Sequence, residues 1–222
     1  MTPLTLLFED DRFVAVDKPA GMAVHRSGHV GDAGPFAVQT LRDQIGRHVW
    51  PVHRLDRPTS GVIVFALDRE AAGRLSDAFA ERRVEKTYHA IVRGFVRAPL
   101  DIDRPLSERE AHTRVAPLGT VELPHAVGRY PTARYSRVEA TPSTGRLHQI
   151  RRHLAGAGHP IVGDVGHGDR HHNHFFRDVL GVERLLLHAL ALRWPHPFTG
   201  AAITTTAPVD AAWRRALAAL GF

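Results

Sequence analysis

Residues 53–68 read His53-Arg54-Leu55-Asp56-Arg57-Pro58-Thr59-Ser60-Gly61-Val62-Ile63-Val64-Phe65-Ala66-Leu67-Asp68, and the stretch changes character at Gly61. From Val62 to Leu67 it is apolar and partly β-branched, the pattern of a strand buried on both faces. Before it, Pro58, Thr59, Ser60 and Gly61 punctuate a loop. Asp56 therefore lies in a short polar loop between Arg54 and Arg57, with His53 close by and a rigid strand behind. A carboxylate so placed is either a nucleophile or one half of a salt bridge, and residue type alone favours the salt bridge.

The whole chain bounds the answer. Its 222 residues, 43% of them apolar, suit one domain with a proper core. No run of about 18 apolar residues exists to cross a membrane, and Met1-Thr2-Pro3-Leu4-Thr5 lacks the basic start of a secretory signal, which makes the cytoplasm the expected location. The absence of cysteine excludes disulfides, thiolate zinc sites and cysteine nucleophiles. With 29 Lys+Arg against 23 Asp+Glu the formal charge is +6, and only Lys18 and Lys86 are lysines. Arginine forks onto phosphate and stacks on bases, so a basic surface made of arginine suits RNA; a GC-rich genome would produce the same bias with no such partner.

Read together, His53-Arg54-Leu55-Asp56-x-x-Thr59-Ser60-Gly61 resembles the signature loop of the RluA-type pseudouridine synthases. The resemblance assigns catalysis to Asp56, and to Arg54 the task of holding the target nucleotide out of its helix. It implies an α+β fold: a mixed, mainly antiparallel sheet flanked by helices and split by a central cleft.

Along the chain, residues 4–8 and 13–17 predict a hairpin. Lys18-Pro19-Ala20-Gly21 resembles the family's Asn-Lys-Pro-x-Gly turn, with Asp17 for Asn, and Lys18 is expected among the RNA contacts with Arg57. Residues 27–34 predict a loop, 36–46 a helix stopped by Gly46, and Asp68 caps a helix to about Arg83. Tyr88 lies in a predicted strand, where a tyrosine is ordinarily core or a cross-strand partner. Lys86-Thr87-Tyr88, however, resembles the family's Lys-x-Tyr element, whose ring stacks on the extruded uracil. Residues 95–130 show no clear periodicity and resemble a variable insertion of no assigned role.

Arg129-Tyr130 and Arg134-Tyr135 interleave cations with aromatic rings, which suits splayed RNA or an ordinary strand edge. In Arg146-Leu147-His148-Gln149-Ile150-Arg151-Arg152-His153-Leu154 the spacing of Leu147, Ile150 and Leu154 predicts a helix with one buried face, leaving His148, Arg151 and Arg152 off the apolar line. The segment resembles the family's Thr-Gly-Arg-x-His-Gln-Leu-Arg-x-His motif, which makes Arg151 the partner of the catalytic carboxylate and places His148 and Arg152 among the RNA contacts. His167-Gly168-Asp169-Arg170-His171-His172-Asn173-His174 invites a metal reading, rejected because a loop offers no fixed ligand spacing; phosphate contact is preferred. Leu185–Leu192 predicts a buried strand in which, by resemblance, Leu187 touches the flipped nucleotide. Residues 195–206 predict a hairpin, and Pro208 opens a last amphipathic helix.

The resemblance covers nearly the whole chain as one catalytic domain, residues 1–222, without the S4 domain that many relatives carry. Arg57-Pro58, Gly128-Arg129-Tyr130-Pro131-Thr132 and His196-Pro197-Phe198-Thr199-Gly200 resemble most the subgroup that modifies uridine 65 in the T-stem of tRNA. A monomer needing no metal or other cofactor is expected. Asp56 either attacks C1′ or removes a sugar proton to give a glycal. Three alternatives stand beside this reading: an RluA-type enzyme of ribosomal RNA, a non-catalytic RNA-binding module, and a glycosidase-like hydrolase, which would need a second carboxylate.

Overall fold

The computed structural model describes residues 2–26 and 34–222; the loop expected at 27–34 falls outside them except at Gly34. The chain divides into two compact units, Met1–Lys86 with Ala189–Pro208, and Thr87–His188 with Val209–Phe222.

The first unit opens with β1 (Thr5–Glu9) and β2 (Phe13–Lys18), the predicted antiparallel hairpin. Helix α1 (Ala37–Ile45) ends on Gly46, whose φ of 66° is the left-handed conformation that glycine takes without strain. After the short β3 (Trp50–Pro51) comes β4 (Ser60–Ala66), buried at every residue and paired antiparallel to both β2 and β3. Asp68 caps α2 (Arg69–Ala80) by accepting from the Ala71 amide. The helix stops three residues before the expected Arg83. Arg82 turns left-handed, and the Arg83 amide reaches back to the Ala78 carbonyl, closing the end.

In the second unit β5 (Glu85–Arg93, entering from the first unit) pairs antiparallel with β8, which pairs with β7, which pairs with β6. Here β6 is Leu100–Asp103, β7 His112–Leu123 and β8 Ala133–Pro142. Much of residues 95–130, where no periodicity was legible, is thus sheet. Pro117 and Gly119 read as strand breakers, and the ladder accommodates them with a register shift between those two residues.

Helix α3 runs Gln149–Gly156, later than its apolar spacing predicted, and Leu147, outside it, is 62% exposed. Residues 167–174 are also corrected. Asp169 accepts from the amides of His171 and His172 and caps α4 (Arg170–Asp178), a helix where a loop was expected. Its Phe175 and Phe176 enter a core with Tyr135, Val182 and Trp213. The chain then builds β9 (Leu187–Pro195) and β10 (Ala202–Thr206), an antiparallel hairpin lying almost wholly in the first unit. It ends in α5 (Ala211–Leu220), whose cap is Asp210 rather than a first turn at Pro208. The fold class is α+β with mainly antiparallel pairing, as expected.

Candidate active site

The Asp56 loop joins β3 to β4. Leu55 is buried beneath it, the Thr59 amide donates to the Asp56 carbonyl at 3.0 Å, and Thr59 and Ser60 are buried. Gly61 anchors the downstream end. Its φ is +111°, and a Cβ there would stand 2.1 Å from the Ala189 carbonyl oxygen, so only glycine lets β9 approach this closely. His53 anchors the upstream end, stacked on Phe79 with centroids 4.7 Å apart, its Nε2 accepting from the Val64 amide at 3.0 Å. Burial, assisted by the charge of Lys86, pushes the imidazole down to about 3, so His53 is a neutral acceptor.

Lys18, expected among the RNA contacts, is turned inward. It is 0% exposed, and its ammonium donates to the carbonyls of Pro19 (2.9 Å), Met22 (2.8 Å) and Arg57 (3.3 Å). It ties the Lys-Pro turn to the Asp56 loop, and two more bonds complete the tie: Gly21 N–H to the Arg57 carbonyl (2.8 Å) and Arg57 Nε to the Gly21 carbonyl (2.8 Å). Arg54 and Arg57 are exposed.

In the second unit Tyr88 lies opposite Ala140 on β8, its ring partly buried against the cluster of Ala90, Val92, Ile150 and Leu187. Leu187, expected to touch the nucleotide, is 3% exposed in that cluster. At the first residue of α3, Gln149 Oε1 accepts from Thr144 Oγ1 and the Arg146 amide, while its Nε2 donates to the His112 carbonyl and Thr113 Oγ1. His153 spans Thr113 Oγ1 and the Arg104 carbonyl, both at 2.9 Å. These two motif residues build the platform.

Arg151 stands on that platform, 7% exposed and therefore inside, not off the apolar line as its spacing suggested. Its Nε meets Asp164 Oδ2 at 2.7 Å and its Nη2 meets Oδ1 at 2.8 Å, a bidentate bond with a rigid direction. Asp164 also accepts from the amides of Gly166 (2.9 Å) and His167 (3.0 Å). Burial works to raise this carboxyl, but Arg151 and the two amides outweigh it and hold it below the usual carboxylate range. Asp164 is the residue that sequence reasoning missed. Its signal was an Asp followed by Gly166, a turn in which the side chain accepts from the amides that follow.

His148, in left-handed conformation at φ 53°, sets its Nδ1 3.1 Å from His167 Nε2. Arg152 reaches Ser107 Oγ at 3.4 Å, Arg134 is paired with Glu122 at 3.1 Å, and Arg129 donates to the Tyr130 hydroxyl at 3.0 Å. The residues expected to act thus fall into one group braced around the Asp56 loop in the first unit and another around Arg151 in the second. Arg129 and Arg134 lie just before and at the start of β8.

Comparison with known proteins gives this arrangement a context. The family model described as RNA pseudouridylate synthase matches residues 12–156. The chain is 48% identical to tRNA pseudouridine synthase C of Vibrio parahaemolyticus over 96% of its own length and 93% of that protein's. It is 47% identical to the protein of the same name from Vibrio cholerae, covering 99% and 96%. Among solved structures, human RNA pseudouridylate synthase domain containing 1 superposes with a TM-score of 0.73 at 26% identity, covering 96% of this chain and 91% of that one.

Proposed function

The chain belongs to the RNA pseudouridylate synthase family, and from that premise we propose that its substrate is tRNA and that Asp56 carries the reaction. The near full-length likeness to relatives named for tRNA carries the choice of substrate. The target is the uridine at position 65 of the T-stem. The bond between N1 and C1′ breaks, the base turns, a bond from C5 to C1′ forms, C5 loses its proton and N1 gains one. Atoms and electrons balance within the nucleotide, so the isomerisation consumes no oxidant.

Asp56 supplies the carboxylate, either attacking C1′ or removing a sugar proton. Tyr88 carries the extruded base on its ring, and Arg54 takes the base's place in the stem, offsetting the few kcal/mol that unstacking costs. Arg151, fixed in direction by its two bonds to Asp164, is assigned a supporting part in the reaction. Arg57, His148 and Arg152 contact the RNA backbone. The enzyme works as a monomer in the cytoplasm. The test is to map pseudouridine in tRNA and ribosomal RNA from a strain lacking the gene. Loss of the T-stem site alone, restored by the gene, is the expected result; loss of a ribosomal site instead would transfer the assignment to ribosomal RNA.

A further inference from the structure

The segment between β5 and β8 resembled an insertion without a role, yet it carries an ordered basic surface. Phe95 is half-buried just past β5, and two guanidiniums lie over its ring, those of Arg97 and Arg134, each 5.4 Å from the centroid. Arg134 is turned by Glu122, whereas Arg97 is exposed and has no carboxylate partner among the described residues. Beside them Phe95, Val96 and Arg97 face Pro117–Thr120 of the β7 irregularity across an open groove of about 550 Å³. Leu118 in its wall is 47% exposed. Arg129 over Tyr130, at 5.1 Å, repeats the cation-on-ring arrangement just before β8.

We propose that this groove and its stacked arginines bind the sugar–phosphate backbone of the RNA substrate. The proposal rests on the reading of RNA as substrate. A guanidinium lying on a ring has its plane fixed, so the fork of Arg97 meets a phosphate with little loss of freedom. The apolar wall of Pro117 and Leu118 suits the ribose between phosphates. The occupant is polyanionic because Arg97 is an exposed cation without a carboxylate of its own, in a chain of net charge +6.

The experiment measures binding of an unmodified tRNA transcript across a salt series. Arg97→Ala is expected to weaken binding about 3- to 10-fold near 0.1 M salt and to make the slope of log affinity against log salt shallower by about one. Phe95→Ala, which removes no charge, is expected to weaken binding about 3-fold because the guanidiniums lose their support. Arg214→Ala removes an exposed arginine on α5 and serves as the control for net charge. Melting curves confirm that each variant is folded. If Arg97→Ala matches Arg214→Ala in affinity and slope, or if Phe95→Ala binds as wild type does, the surface does not bind RNA. An acidic protein partner would give that same unchanged RNA affinity. Pseudouridine formation by the wild type is scored separately: its absence would sink the functional reading, while normal isomerisation with unaltered affinities would sink only this surface.

Discussion

Arg151 and Asp164 close two parallel hydrogen bonds, 2.7 and 2.8 Å, between side chains that are 8% and 1% exposed. In a pair this buried, each partner compensates the charge of the other. Asp164→Asn keeps the volume and removes the charge, leaving a buried guanidinium uncompensated, and should cost about 3–5 kcal/mol in urea unfolding. Turnover on tRNA should fall more than affinity does, because what is lost is the direction of Arg151. Arg151→Lys keeps the charge without the planar fork and should retain a fraction of turnover, whereas Arg151→Ala should retain far less. Full activity in Asp164→Asn would show that the pair only holds the fold.

Acid should unfold the protein earlier than its carboxylates alone would dictate. His53 is pushed down to about 3 by burial and then by Lys86, and His89 to about 4 by burial and then by Arg137 and His188. Both groups bind a proton more readily when unfolded, near the ordinary value of 6.5. Their contribution is therefore complete above about pH 6.5 and declines as pH falls toward the folded values, by up to about 1.4 kcal/mol per pH unit for each. Measured stability should be level near pH 7 and fall from about pH 6.5 to pH 4, and His53→Gln should flatten the slope. Asp164 adds a later loss, since its lowered value keeps its contribution intact until pH drops below about 4. A flat profile down to pH 4.5 would contradict the buried neutral histidines.

Lys18→Met tests whether this lysine is a brace. The variant fills similar volume but strands the three carbonyls that the ammonium serves. A loss of about 2–4 kcal/mol in stability is expected, with an unchanged salt slope for tRNA binding. Unaltered stability with a slope shallower by about one would restore Lys18 to the RNA surface.

What could be read in advance was local. Phe13–Val16 and Val62–Ala66 announce buried strands by composition, and Gly46 and Asp68 mark helix ends by their own stereochemistry. The misreadings share a cause, which is that the deciding partner is distant. Lys18 in a turn looks solvated until the Arg57 carbonyl, 39 residues on, is folded against it. Arg151 looks peripheral when Leu147, Ile150 and Leu154 define the buried face; the later start of α3 expels Leu147, and Asp164 makes burial of the guanidinium tolerable. For β7, Pro117 and Gly119 hide a strand that only its register with β8 reveals. In α4 the histidines mask a helix decided by one cap, Asp169, and two phenylalanines. The Asp56 loop was legible as a family resemblance, while its bracing by Lys18, Gly61 and His53 was not.

The most direct test is pseudouridine formation on a tRNA transcript by Asp56→Asn, run beside wild type with tRNA affinity and melting temperature measured on the same samples. The amide preserves shape and removes the reacting carboxylate, so turnover should fall by at least about 1000-fold while affinity stays within about 3-fold and the fold is intact. Turnover within tenfold of wild type would contradict the assignment of the reaction to Asp56.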